Sequence, residues 1–432
     1  MLENLLTFAS TMKSIGGLLL AILILLAMVT VHEFGHYVAG KLLGFKINEF
    51  SVGFGPALFQ KRSKKTGELF AVRLIPLGGY CAFDGEDEME DENESVIPKQ
   101  QETLEEPFEE LTAKPANDGG RDALNEDSVT CKTEEAAVEE TSAETEEYPE
   151  PQGERFNDQP PWKRIIVLIA GATMNYLLAL ILIVVMFACI GRPVYEVQKA
   201  PASAETTSAQ MQETEEFAWE TGDVILKING KTPYMITDYI DVLEGKKAGE
   251  KVPVLILRDG KEQTVQMTLV KDATFANMTD TQTLLHAMGF TKGDSLVTRT
   301  QKDGFWETIG NSFGYSFKIG GTVLRSLGEL LTGKIGMESM GGPVTTITVT
   351  AQAASSGWAS FLSIAAFIGV NLAVFNLLPV PALDGCKVIF CLIEWIFKKP
   401  VNRKVEAIIH FIGIILLFGF AILVDLLQLF RI

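Results

Sequence analysis

Histidine is almost absent from this chain: only four stand among its 432 residues. Cysteine is nearly as rare, and the five present (Cys81, Cys131, Cys189, Cys386 and Cys391) have neither metal-knuckle spacing nor a pattern of extracellular pairs. A disulfide framework and a cysteine zinc knuckle are therefore both excluded. The first apolar run, with Lys13 in front of it, has no small-x-small cleavage site at its end, so it reads as a retained membrane helix and not as a removable secretory signal. Basic residues are also scarce over one long stretch. Between Asp84 and Asp158 there are about five, against about 27 acidic ones, and without that tract the net charge of −18 becomes roughly +4. The acidic balance thus belongs to one segment and says nothing about the rest.

What is present is concentrated. The stretch Val31-His32-Glu33-Phe34-Gly35-His36 holds two of the four histidines and directly follows the apolar run from Ile15 to Thr30. On a helix, residues four apart share a face, so His32 and His36 can offer two neutral imidazole nitrogens to one tetrahedral Zn²⁺. Glu33, beside the first ligand, is placed to take a proton from water as a general base. With histidine this rare, a chance H-E-x-x-H is improbable, on the order of a few in a thousand. The alternative is a pair of satisfied buried histidines, but ionisable groups at membrane depth are costly and by default functional. A zinc hydrolase keeps three protein ligands and one open position, so a third ligand must come from elsewhere. The best candidate is Asp384, in Asn376-Leu377-Leu378-Pro379-Val380-Pro381-Ala382-Leu383-Asp384-Gly385 at the end of another apolar run. Two prolines at alternate positions cannot continue a regular helix, and they would open the backbone to aim Asp384 inward.

These motifs together resemble the site-2 protease family of intramembrane zinc metalloproteases, in its bacterial regulator-of-sigma-E form. Its H-E-x-x-H stands here as His32 to His36, and its N-x-x-P-x-P-x-L-D-G as Asn376 to Gly385. Two further features match: G-x-x-x-N as Gly171 to Asn175, and a Gly-Phe-Gly loop as Gly53-Phe54-Gly55. The resemblance implies Zn²⁺ held by His32, His36 and Asp384, with Glu33 catalytic and Asn175 and Asn376 near the substrate.

Four runs approach the ~20 residues that cross a bilayer. They are Ser14 to Val38, Arg164 to Ile190, Trp358 to Val380 and Ala407 to Leu427. Lys41, Lys46, Lys61, Arg62, Lys64 and Lys65 follow the first; Lys163 and Arg164 open the second; Lys387, Lys398, Lys399, Arg403 and Lys404 follow the third. All fall on one side, which is therefore the cytoplasmic side, with the N-terminus outside. Both motifs then approach the cytoplasmic half of the membrane.

Between the spans, Phe45 to Tyr80 alternate apolar and polar positions with Gly and Pro punctuation, as short hairpin strands do. Non-helical backbone at membrane depth needs protein or a water-filled cavity around it. In the family such a segment is a re-entrant β-loop beside the active site, whose edge can pair with an unwound substrate; an ordinary cytoplasmic hairpin is the other reading. The tract from Asp84 to Asp158 reads as a disordered solvated linker, or as a docking arm for a basic partner. Farther on, Gly222 to Lys231 form a strand and turn. Val252 to Arg258 and Gln263 to Val270 then flank an Asp259-Gly260 hairpin turn, an arrangement similar to a PDZ domain. Ala204 to Met211, followed by the acidic Glu213, Glu215 and Glu216, replace the family's usual small-residue and glycine signals, so this domain either binds a peptide or filters bulky ectodomains. Phe305 to Gly336 have helix-like apolar spacing, which fits either an amphipathic helix on the outer membrane surface or a soluble helix packed on the PDZ-like domain.

The predicted fold is a polytopic α-helical membrane protein, with four transmembrane helices and a membrane-associated β-hairpin, plus an extracytoplasmic PDZ-like α+β domain. Its parts are 1–83 (first helix and β-region), 84–160 (acidic insert), 161–191 (second helix), 192–275 (PDZ-like), 276–357 (connector with amphipathic helix) and 358–432 (third and fourth helices). The predicted function is zinc-dependent cleavage of transmembrane segments of single-pass membrane proteins in a bacterial cell membrane, with the active site toward the cytoplasm. Anti-sigma factors or signal-peptide remnants are the substrates implied by resemblance. The lipid bilayer and a peptide ligand of the PDZ-like domain are further expected partners, and nucleic acid is not one. Two other readings stand beside it: a membrane-anchored zinc protease of cytosolic soluble proteins, and a non-catalytic PDZ-bearing binding module.

Overall fold

The computed structural model describes residues 2–86, 148–200, 219–290, 295–337 and 341–430. Helix α1 (Leu2–Leu43) leads into strands β1 (Ile47–Arg62) and β2 (Leu69–Phe83), and helix α2 (Pro161–Cys189) follows. An α+β region comes next, with β3 (Arg192–Val197), β4 (Val224–Ile228), α3 (Ile236–Leu243), β5 (Lys251–Arg258), β6 (Lys261–Thr268), α4 (Thr281–Ala287) and β7 (Leu296–Gln301). Among the described residues the helices α5 (Phe305–Leu331), α6 (Pro343–Ser356), α7 (Trp358–Asn376), α8 (Asp384–Phe397) and α9 (Arg403–Leu429) follow.

Among the described residues four helices are long and apolar enough to cross a membrane: Ile15–Leu43 of α1, α2, α7 and α9. Their bounds differ from the sequence reading where caps intervene. Pro161 starts α2 at a position where its missing N–H is no loss. Helix α7 stops at Asn376, four residues before the expected end at Val380, because the chain there turns toward its two prolines. Without a hydrophobic drive between helices in lipid, close contact of small residues does the packing. A Cβ on Gly369 of α7 would lie 2.9 Å from the Cβ of Ala179 on α2. Ile24 and Met28 of α1 close the group against Ala365. Helix α6 runs along α1, and a Cβ on Gly17 would come within 2.5 Å of the Ala351 carbonyl oxygen. The sequence reading has no helix there.

The region after α1 is more than a hairpin of short strands. Strand β1 pairs with β2, and Val52 stands opposite both Val72 and Gly79, as Ser51 does opposite both Ala71 and Tyr80. The first half of β1 is thus flanked on both sides by β2. Sharp bends make this possible, at Gly53 (φ 87°) and Gly78 (φ 120°), a conformation that glycine alone adopts at little cost. Arg73 ties the bend together, donating to Ser51 Oγ (2.9 Å), the Gly55 carbonyl (2.8 Å) and Glu49 Oε1 (2.6 Å).

Most of the acidic tract, residues 87–147, lies outside the described residues. Its two ends are ordered, contrary to the expectation of a linker over 84–160. Phe45 bridges to Glu154, and the Phe156 N–H donates to the Asp84 carbonyl at 2.8 Å. The Phe156 ring packs in a cluster with Phe45 and Phe83 because three aromatic faces are removed from water there together.

Beyond α2, the sheet has the order β6-β5-β4-β3-β7, with every pair antiparallel. The Asp259-Gly260 turn has φ of 49° and 76°, as a two-residue hairpin loop requires. The sheet does not end at 275. Strand β7 pairs along the whole of β3, and Ala287, Met288 and Phe290 enter the same core as Ile225, Tyr239 and Ile256. The unit therefore reaches residue 301. Helix α5 contacts both the membrane-length helices and the sheet-bearing unit. Tyr315, Ile319 and Val323 pack with Ile183 and Phe187 of α2 and Val370 of α7, while Lys318 forms ion pairs with Asp238 (2.8 Å) and Asp241 (2.5 Å) of α3.

Candidate metal centre

His32 and His36 lie on one face of α1, each 7% exposed, against α2. The approach is close because two glycines permit it. A Cβ on Gly35 would meet the Ala170 carbonyl oxygen at 2.5 Å, and one on Gly171 would meet His36 Nε2 at 2.4 Å. Nδ1 of His36 is 2.8 Å from the Val167 carbonyl oxygen, which can only accept, so the proton sits on Nδ1 and Nε2 keeps its lone pair. The two Nε2 atoms are 3.1 Å apart.

Asp384 comes to the same point from the other end of the chain, as the first residue of α8. The turn before it is clamped on two sides. A Cβ on Gly385 would lie 2.3 Å from the Leu378 carbonyl oxygen, and one on Gly413 of α9 2.3 Å from Pro381 Cβ. Ala382 is held at φ 79°, and its N–H donates to His410 Nδ1 at 3.1 Å. Asp384 Oδ2 thereby lies 3.0 Å from His32 Nε2 and 3.4 Å from His36 Nε2.

These three residues are the one group of potential metal ligands among the described residues. In a tetrahedral zinc site with bonds of about 2.0–2.1 Å, ligand atoms stand roughly 3.3 Å apart, which is the spacing found. Asp384 Oδ2 is buried and accepts no aligned hydrogen bond, although two ring nitrogens converge on it. Two lone-pair nitrogens and a carboxylate oxygen so arranged fit a shared cation better than they fit one another.

Glu33, half-buried on the next position of α1, packs against β2: a Cβ on Gly79 would lie 3.5 Å from its Cγ. Asn175, four residues after Gly171 and on the same face of α2, is fully buried. Its Nδ2 is 3.3 Å from His32 Nδ1, and Asn376 Nδ2, at the end of α7, is 3.3 Å from both ring nitrogens of His32. The structure thus brings all six residues singled out in the sequence to one locality.

The remaining candidates fall away or change role. Cys386 is buried, and that burial raises its thiol pKa. Cys81 of β2 has its thiol raised by burial and then by the Glu33 charge. His286 is exposed on α4. His410 of α9 accepts from the turn that carries Asp384. A lone histidine inside an apolar run gave no spacing from which to infer this.

Comparison with known proteins gives the family. The sequence model of peptidase family M50 matches residues 20–420. The regulator of sigma-W protease RasP of Bacillus subtilis is 30% identical over 420 residues, covering 91% of this chain and 93% of that protein. The zinc metalloprotease RasP of Bacillus licheniformis is 28% identical over 421 residues, covering 91% and 94%. With its match spanning two of the four candidate membrane helices and most of the first and the last, the chain belongs to peptidase family M50, the site-2 zinc metalloendopeptidases.

Proposed function

We propose that this protein is an intramembrane endopeptidase that cuts single-pass membrane proteins within or beside their transmembrane helix, with zinc held by His32, His36 and Asp384. The observation that carries the reading is the meeting of Asp384 Oδ2 with both Nε2 atoms at 3.0 and 3.4 Å, deep in the helix bundle. His32 stands 11 residues before the end of the Ile15–Leu43 span, about 16 Å along the helix, well inside a hydrocarbon layer.

When bound, zinc supplies Lewis acidity to a peptide carbonyl and makes water acidic enough to attack near neutral pH. The rest falls to the chain's own groups. Glu33 takes the proton from the attacking water and returns it to the leaving amine nitrogen as the C–N bond breaks. A transmembrane helix hides its backbone, so the scissile segment must unwind. The Gly79–Ala82 part of β2, paired only with β1 among the described residues, supports docking of that segment as an added strand beside Glu33. Asn175 and Asn376 border the same space and hold the His32 ring or the substrate backbone.

The basic residues at the ends of the spans support an orientation with the zinc site toward the cytoplasm. The five-stranded unit would then lie outside as a PDZ-like domain, binding peptide or excluding bulky ectodomains. The Bacillus subtilis relative is named for regulating a sigma factor, which supports membrane-bound anti-sigma factors as a substrate class, with signal-peptide remnants beside it. The deciding experiment uses the purified full chain with zinc in nanodiscs and a truncated single-pass substrate. Cleavage inside the hydrophobic segment that is lost in Glu33→Gln is expected. Unchanged cleavage by Glu33→Gln, or cuts confined to soluble linkers, would reject the proposal.

A further inference from the structure

Helix α8 is covered on one face only. Cys386 and Cys391 are buried, and Val388 packs into the Phe45–Phe156 cluster. Two ion pairs hold that side: Lys387 Nζ to Glu86 Oε1 at 2.7 Å, and Arg164 Nη2 of α2 to Glu394 Oε1 at 2.5 Å. On the opposite side Ile389, Leu392, Ile393 and Ile396 recur at helical intervals and are exposed, as are Trp395 and Phe397.

The depth of this face follows from α2. Arg164 lies in its first turn and Gly171, beside the histidines, seven residues farther on, about 10 Å along the axis. Helix α8 runs between the same two levels, from Asp384 at the histidines to Glu394 at Arg164, and two membrane spans, α7 and α9, flank it in the chain. Its far end therefore emerges where α2 begins.

At that end the charge is positive. Lys398, Lys399 and Lys404 are exposed, and no carboxylate among the described residues pairs with them. Lys398 closes the helix in the left-handed region, φ 54°, where glycine is the favoured residue. A lysine kept there against backbone preference places its ammonium at the helix terminus, beside Lys399.

We propose that this face is a docking surface for anionic phospholipid. Acyl chains cover the Ile389–Ile396 stripe, Trp395 sits at headgroup level, and the three lysines draw the negative headgroups. The inference rests on the membrane-spanning character of α7 and α9 and not on the assignment of the zinc ligands. Its significance is positional, since the helix so anchored begins at Asp384.

The test uses the full chain in phosphatidylcholine nanodiscs that contain equal mole fractions of either brominated phosphatidylglycerol or brominated phosphatidylcholine. Quenching assigned to Trp395 is the difference between the native chain and Trp395→Phe. Brominated phosphatidylglycerol is expected to quench Trp395 roughly twofold or more above its zwitterionic counterpart, with the excess falling as salt is raised. In the double variant Lys398→Gly, Lys399→Ser most of the excess should be lost, while the relaxed backbone at 398 keeps the unfolding temperature at or above the native value. Equal quenching by both lipids would overturn the headgroup preference. Quenching by neither would overturn lipid contact, and an excess that survives largely intact in the double variant would overturn the part given to the lysines.

Discussion

The carboxamide of Asn175 meets the His32 ring with Nδ2 3.3 Å from Nδ1, while its own Oδ1 is buried without a partner. A 180° turn of the amide would let Oδ1 accept from a protonated Nδ1. That tautomer is the one in which Nε2 is free to bind a metal. Asn175 is therefore predicted to orient His32. Asn175→Ala should weaken zinc binding by roughly 10- to 100-fold, and Asn175→Asp, which keeps an acceptor, should lose much less. Zinc titration against a chelator with purified protein measures both. Equal losses in the two variants would argue for a packing role alone.

Gly171 offers a steric test of the same centre. A Cβ at 171 would stand 2.4 Å from His36 Nε2, so Gly171→Ala is predicted to lower zinc occupancy at least tenfold, roughly the effect of losing a supporting contact. Gly310→Ala, on α5 where a Cβ meets nothing within 4 Å, is the control and should stabilise by about 0.4–1 kcal/mol. Metal content and thermal unfolding, measured on both, separate displacement of the ligand from general disruption.

His410 and Ala382 should behave as a pair. His410→Ala removes the acceptor for the Ala382 N–H at a cost of about 1–3 kcal/mol, felt in the turn that carries Asp384. Ala382→Gly relaxes the φ of 79° and should stabilise by about 1 kcal/mol. Combined with His410→Ala, it should recover part of the lost cleavage rate. Cleavage assays and unfolding curves for the three variants check this, and strictly additive effects would show that the two residues act independently.

In the five-stranded unit, fully buried Asp223 receives Arg258 through two 2.7 Å bonds and the Glu220 N–H at 2.8 Å. Asp223→Ala is predicted to destabilise this unit by about 2–3 kcal/mol, because charge-assisted bonds are lost together. Hydrogen exchange should quicken in β4 and β5 while zinc content stays unchanged. Loss of zinc in this variant would reveal coupling between the sheet and the metal centre.

How much of this was legible in the sequence depended on how local the physics was. His32 and His36 share a helical face by period alone, and Asp259-Gly260 declares its turn because few residues accept two positive φ values. Asp384 was legible through the prolines that break α7. Other features depend on distant partners. Helix α6 reads Pro343-Val344-Thr345-Thr346-Ile347-Thr348-Val349-Thr350, a β-branched run with a strand's propensity, and it is helical because it lies along α1. Strand β7 belongs to the sheet only through β3, almost a hundred residues earlier, and the sequence reading therefore closed the unit too soon. Val52 has partners on both sides because of bends at Gly53 and Gly78, and no alternation pattern reports a bend.

The clasp formed by Phe45 with Glu154 and by Asp84 with Phe156 separates the catalytic scaffold from whatever is spliced in at that point. Once two ends of a segment are pinned side by side, the entropy of closing it grows only with the logarithm of its length, about 0.6 kcal/mol for each doubling. Insertions or deletions between residues 87 and 147 can therefore change the length and charge of the chain at almost no thermodynamic expense to the histidine–aspartate cluster.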